Sequence, residues 1–175
     1  MKKLLYLCLS LTFLVSCSSS DDGGSGGSAA EGTIEASVNG SAFNSLSMTS
    51  FASLVEAGGT TSLVIQGNDA DGRAVHLMMH SVYEGPGTYE INGDEGNVMI
   101  SASYIEIDVD MNNPQNSETT TWVAPFEGGG LVGEIQVSED EGEYVKGTFF
   151  FEARNQDDEN DTVNVTSGSF NVKKQ

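Results

Sequence analysis

Positive charge is scarce in this chain of 175 residues: 7 Lys and Arg stand against 26 Asp and Glu, a formal charge of −19. Nucleic-acid binding requires clustered cations to neutralise phosphates, and so scarce a supply excludes it. There are two cysteines, Cys8 and Cys17, both near the N-terminus. Everything after them is therefore without a disulfide, a thiol nucleophile or a cysteine metal site, and must rest on its hydrophobic core. There are two histidines, His76 and His80. A Ser-His-Asp hydrolase would have to use one of them, and neither sits near a recognisable nucleophile motif. Also missing is any window of a dozen residues with a helical apolar repeat free of Gly, Asn, Ser and Thr.

What is present begins with a leader. Met1-Lys2-Lys3 is a positive n-region, Leu4 to Phe13 an apolar h-region, and Leu14-Val15-Ser16-Cys17 a cleavage signal, the order a secretory peptide requires. The apolar run is shorter than the ~20 residues that span a bilayer. Leu-Val-Ser-Cys resembles the lipobox of bacterial lipoproteins, whose cysteine is diacylated and becomes the first residue. The resemblance implies a signal peptide over residues 1–16, lipidation of Cys17 and anchoring to the membrane through that lipid. Each buried methylene contributes about 0.8 kcal/mol, so several chains on one cysteine make a durable anchor. By the same resemblance, Ser18 rather than Asp after the cysteine implies sorting to the outer membrane, and Ser20-Asp21-Asp22 resembles a surface-export signal. The expected address is the outer membrane, on its surface or facing the periplasm.

Residues 17–30 then read as the lipidated cysteine and a Gly/Ser-rich tether, a flexible coil. Gly23-Gly24-Ser25-Gly26-Gly27 formally matches the nucleophile elbow G-x-S-x-G but has no strand before it and no helix after it. Residues 31–175 are enough for one domain. Without Lys2 and Lys3 the mature chain carries 5 cations against 26 anions, a formal charge of −21, whose plainest consequence is solubility and repulsion between molecules.

That domain reads as all-β, a single antiparallel sandwich or barrel-like fold of about ten strands. Leu63 to Gln66 and Ala74 to Met79 flank Asp71-Gly72 and predict a hairpin over 61–82. A second hairpin is expected from Val145–Ala153 and Thr162–Thr166, joined by an acidic loop. Further strands are expected near 33–38, 47–55, 87–91, 119–125, 131–138 and 168–173. Val98 to Tyr104 and Ile105 to Asp110 alternate on opposite parities, which predicts a bulge or a change of sheet between Tyr104 and Ile105.

Val38-Asn39-Gly40-Ser41-Ala42-Phe43, Gly85-Pro86-Gly87-Thr88-Tyr89-Glu90-Ile91, and the stretches Val145 to Phe149, Arg154-Asn155 and Val163 to Val172 resemble a family of small Bacteroidota outer-membrane lipoproteins with an uncharacterised all-β domain. The resemblance implies a β fold and an envelope address. It carries over no catalytic residue.

Several constellations remain. His76 and His80 form H-x-x-x-H, but Leu77 stands where the zincin motif needs Glu, and residues four apart on a strand lie about 13 Å from each other. They are expected to pack on the surface or across strands. Of Met78 and Met79, on opposite faces, at least one is expected to fill the core. Hard oxygen ligands for a weak calcium site are offered by Asp69 and Asp71 or by Asp157, Asp158 and Asp161. The first loop departs from the EF-hand template: with Gly72 at position six, position one is Gly67 and position twelve Met78. Trp122, Tyr83, Tyr89 and Tyr144 offer either a sugar-stacking platform or core packing. Asp161-Thr162-Val163 resembles an O-glycosylation acceptor at Thr162. Two readings of function stay open: a non-catalytic binding or accessory module for a partner protein, a glycan or calcium, and a small envelope hydrolase using paired carboxylates.

Overall fold

A computed structural model describes residues 28–94 and 98–175. Eleven strands follow in chain order: β1 (Thr33–Val38), β2 (Ser41–Asn44), β3 (Phe51–Ala57), β4 (Thr60–Asn68), β5 (Arg73–Met79), β6 (Gly87–Asn92), β7 (Ile100–Asp108), β8 (Glu118–Ala124), β9 (Leu131–Glu139), β10 (Tyr144–Asn155) and β11 (Thr162–Lys174). The expected all-β class is observed, and most of the expected strands lie where the alternation puts them. β2 is the strand the sequence reading lacked: only Phe43 of its four residues is buried, too short a pattern to declare itself.

The strands form one continuous sheet that folds into two layers. One layer runs β2-β1-β11-β10-β9-β6 and the other β3-β4-β5-β7-β8. Two long strands stitch them together by changing partners along their length, which is how sheets turn corners. β10 pairs with β9 up to Phe151 and then with β8 at Arg154 and Asn155. β11 pairs with β1 up to Asn171 and then, in parallel, with β3 at Lys173 and Lys174. The result is a sandwich closed at two corners, barrel-like in its connectivity.

Between the layers lie Ile34, Phe43, Leu63, Ile65, Leu77, Met79, Ile91, Ile135, Phe149, Phe151, Phe170 and their buried neighbours. Period-two alternation produces this core directly, as in Val75, Leu77 and Met79 of β5, buried with half-buried residues between them. Met79 is thus the core methionine, and Met78 takes the outer parity. Asp69 to Gly72 close the predicted hairpin; Gly72 has φ +82° and a side chain there would meet the Ile107 carbonyl at 2.8 Å, so glycine serves both the turn and the close approach.

The phase flip expected at Tyr104/Ile105 does not produce a bulge. β7 keeps an unbroken register with β5 and β8 from Ile100 to Asp108. Ala102 and Tyr104 face the core, and the same parity carries Glu106 to the mouth of the sandwich, where the strand has outrun its cover. Ile107 is consequently exposed. β11, by contrast, does carry a bulge. Phe149 pairs with Gly168 and Phe151 with Val165, so Thr166 and Ser167 oppose Phe150. Ser167 has φ +51°. β11 continues straight through it, merging the strands expected at 162–166 and 168–173.

Candidate functional site

The register fixes which ends of the strands lie together. Thr33 pairs with Asn171 and Tyr144 with Lys173, so the chain enters the domain beside its C-terminal residues. The Tyr144 hydroxyl donates to Glu31 Oε1 at 3.0 Å at this end. Val38 pairs with Val165 and Arg154 with Thr162 at the other. There the two layers open into a cleft of about 270 Å³ between Val38, Asn39, Ser41 and Val163 on one side and Arg73, Tyr104, Glu106 and Trp122 on the other, with Asp161 at its rim.

Its floor is aromatic. Tyr104 and Trp122 are cross-strand partners whose ring centroids lie 5.7 Å apart, and both are almost wholly buried. Each offers its polar atom to a carboxylate at the mouth. The Tyr104 hydroxyl donates to Glu106 Oε1 at 2.7 Å, and Trp122 Nε1–H donates to Asp161 Oδ2 at 3.0 Å. Burial, reinforced by the Glu106 hydrogen bond, pushes the Tyr104 phenol well above its ordinary range. Asp161 Oδ2 also accepts from Asn155 Nδ2 at 2.7 Å.

Arg73 supplies the cation. Its Nε–H donates to Asp69 Oδ2 at 2.7 Å and its Nη2 lies 2.6 Å from the same oxygen. Asp69 Oδ1 meanwhile accepts the backbone N–H of Asp71 at 2.9 Å and of Arg73 at 3.0 Å. Burial works against the guanidinium charge, but the hydrogen bond and charge of Asp69 more than offset it, and the pKa of Arg73 is raised.

Of the carboxylates proposed for calcium, those of Asp69, Asp71, Asp158 and Asp161 already have protein partners. Asp69 is buried against Arg73, whereas the Asp71 side chain is 79% exposed and 3.5 Å from the same guanidinium. In the second loop Asp158 Oδ1 accepts from Asn160 N–H at 3.0 Å, Asp161 holds Trp122 and Asn155, and the Asp157 N–H donates to Asn155 Oδ1 at 2.9 Å. Among the described residues no three His, Cys, Asp or Glu gather as a metal site. Thr162 is exposed at the start of β11. Cys17, the leader, residues 18–27 of the tether and the Gly23–Gly27 motif lie outside the described residues.

The aromatic platform is not assembled. Trp122, Tyr83 and Tyr89 are buried, Tyr83 and Tyr89 as a tilted pair with centroids 5.7 Å apart; Tyr144 stands at the opposite end from Trp122. His76 lies half-buried on the outer face of β5, and His80 follows the strand, exposed, with Nδ1 3.5 Å from Ser62 Oγ. Burial lowers the His76 pKa.

A family described as a domain of unknown function (DUF6252) matches residues 30–172. The chain belongs to the DUF6252 family. The match spans every strand except the last two residues of β11, so the cleft is wholly a feature of the DUF6252 domain. No curated protein and no solved structure matches the chain. Three side chains central to the cleft, Arg73, Tyr104 and Glu106, escape a reading of the sequence as site residues. Arg73 has a faint signal, a rare cation directly behind Asp-Ala-Asp-Gly.

Proposed function

We propose that the chain is a lipid-anchored cell-envelope protein whose DUF6252 domain is a non-catalytic binding module. One observation carries the reading: Leu14-Val15-Ser16-Cys17 follows a short apolar segment and is followed by a Gly/Ser-rich stretch that leads directly into the family match beginning at residue 30. A signal peptide ending at Ser16, acylation of Cys17 and sorting to the outer membrane follow from it. The cleft gives the binding reading a place, since its carboxylates Glu106 and Asp161 are oriented at the mouth by Tyr104, Trp122 and Asn155.

Membrane fractionation of cells expressing the full chain and its Cys17→Ser variant tests this. The parent chain should sediment with membranes, resist high salt and carbonate, and be released by detergent. C17S should leave the detergent-extractable pool. If C17S stays in the membrane as firmly as the parent, attachment does not run through Cys17.

A further inference from the structure

The cleft at the end of the sandwich has a mixed polarity that limits what it can hold. Glu106 and Asp161 oppose an anionic ligand, and the charge of −19 on the whole chain opposes it further. Arg73 in the wall is already paired with Asp69 and does not repel a cation by itself, but among the described residues no three carboxylates gather here to hold a metal ion. Val38 and Val163 are its only aliphatic residues, too little apolar surface for a lipid tail. A ring of hydroxyl groups meets every condition, because each hydroxyl both donates and accepts. Glu106 accepts the Tyr104 hydroxyl through Oε1 only, and Asp161 takes its two donors through Oδ2 only. Glu106 Oε2 and Asp161 Oδ1 accept no hydrogen bond from the described residues, so each can receive a ligand hydroxyl. At about 270 Å³ the cleft lies just under the range of about 300–1,000 Å³ for drug-sized ligands, the scale of a single ring.

We infer that this cleft binds one neutral saccharide ring, either a free sugar or the terminal residue of a glycan. The inference rests on the binding-module reading and names its ligand class. The placement suits it: the chain enters the domain at the end opposite the cleft, so attachment through Cys17 leaves the cleft uncovered.

Trp122 is the only tryptophan in the chain and forms part of the cleft, so its emission reports occupancy. The detergent-solubilised full chain is titrated with glucose, galactose, xylose and N-acetylglucosamine, with short oligomers of each, and with glucuronate and putrescine as charged controls. At least one neutral sugar should give a saturable change. Glu106→Gln, which keeps an acceptor for Tyr104, should weaken it about tenfold, and Ser41→Phe, an exposed position at the cleft, should abolish it. Tighter binding of the monomer identifies a free sugar, and tighter binding of the oligomer a glycan end. The inference is overturned if no neutral sugar changes the emission, if both variants bind as the parent does, or if only a charged control saturates. These outcomes are independent of fractionation: C17S can lose the membrane and still bind sugar, and a lipidated chain can fail to bind it.

Discussion

At the residue scale, one guanidinium organises the acidic turn. Asp69 closes its own turn through two backbone N–H groups and holds Arg73 through Nε and Nη2. Asp69→Asn keeps the shape but removes the charge from a buried site facing a cation, and should cost about 2–3 kcal/mol in denaturant unfolding. Titration adds two checks. The burial-depressed His76 means that, as pH falls below about 6.5, the unfolded chain takes up a proton that the folded chain refuses. Stability should therefore fall across that window, and His76→Gln should flatten the slope. The raised phenols of Tyr83 and Tyr104 act in the opposite range. Their contribution is full below the unfolded value of about 10 and is lost as pH rises above it, because only the unfolded chain ionises there. Tyrosinate absorbance should show these two rings titrating only with unfolding, and Tyr104→Phe should reduce the alkaline loss.

At the element scale, the long strands β10 and β11 carry the architecture, since each belongs to both layers. Gly168, just after the β11 bulge, lies against Phe149: a Cβ there would stand 2.6 Å from both the ring and the carbonyl. Gly168→Ala should destabilise by about 2–3 kcal/mol through overpacking, measured as a shift in the denaturation midpoint. This is also where sequence reading reached its limit. Alternation reported the strands well wherever one face was buried along the whole element, as in β5, and Asp71-Gly72 marked its turn. It misplaced the irregularity of β7, because beyond Tyr104 neither face is fully covered and apolar Ile105 and Ile107 follow the outer parity. It split β11, because Ser167-Gly168 looks like a turn when the strand actually bulges through it. Corners made by a strand changing partners are long-range events that no local pattern encodes. The cleft was partly legible for the same reason: Trp122 and Asp161 stood out by residue type, while Glu106 joined them only through the register of β7.

At the scale of the whole molecule, the domain has two unlike ends. At one the chain enters at residues 28–33, close to Asp140, whose Oδ2 accepts the Tyr83 hydroxyl at 2.6 Å and whose Oδ1 meets Lys174 Nζ at 2.9 Å, fastening the C-terminal strand. At the other the layers open on the cleft. The proposed lipid at Cys17 would attach the molecule to the bilayer at the fastened end, opposite the cleft. The proposed anchor is the claim on which that arrangement depends. Mass spectrometry of the intact protein, purified with detergent from its own membranes, tests it most directly. The account predicts a chain that begins at Cys17 and carries the added mass of a diacylglyceryl group; a chain that begins at Met1, or an unmodified Cys17, would contradict it.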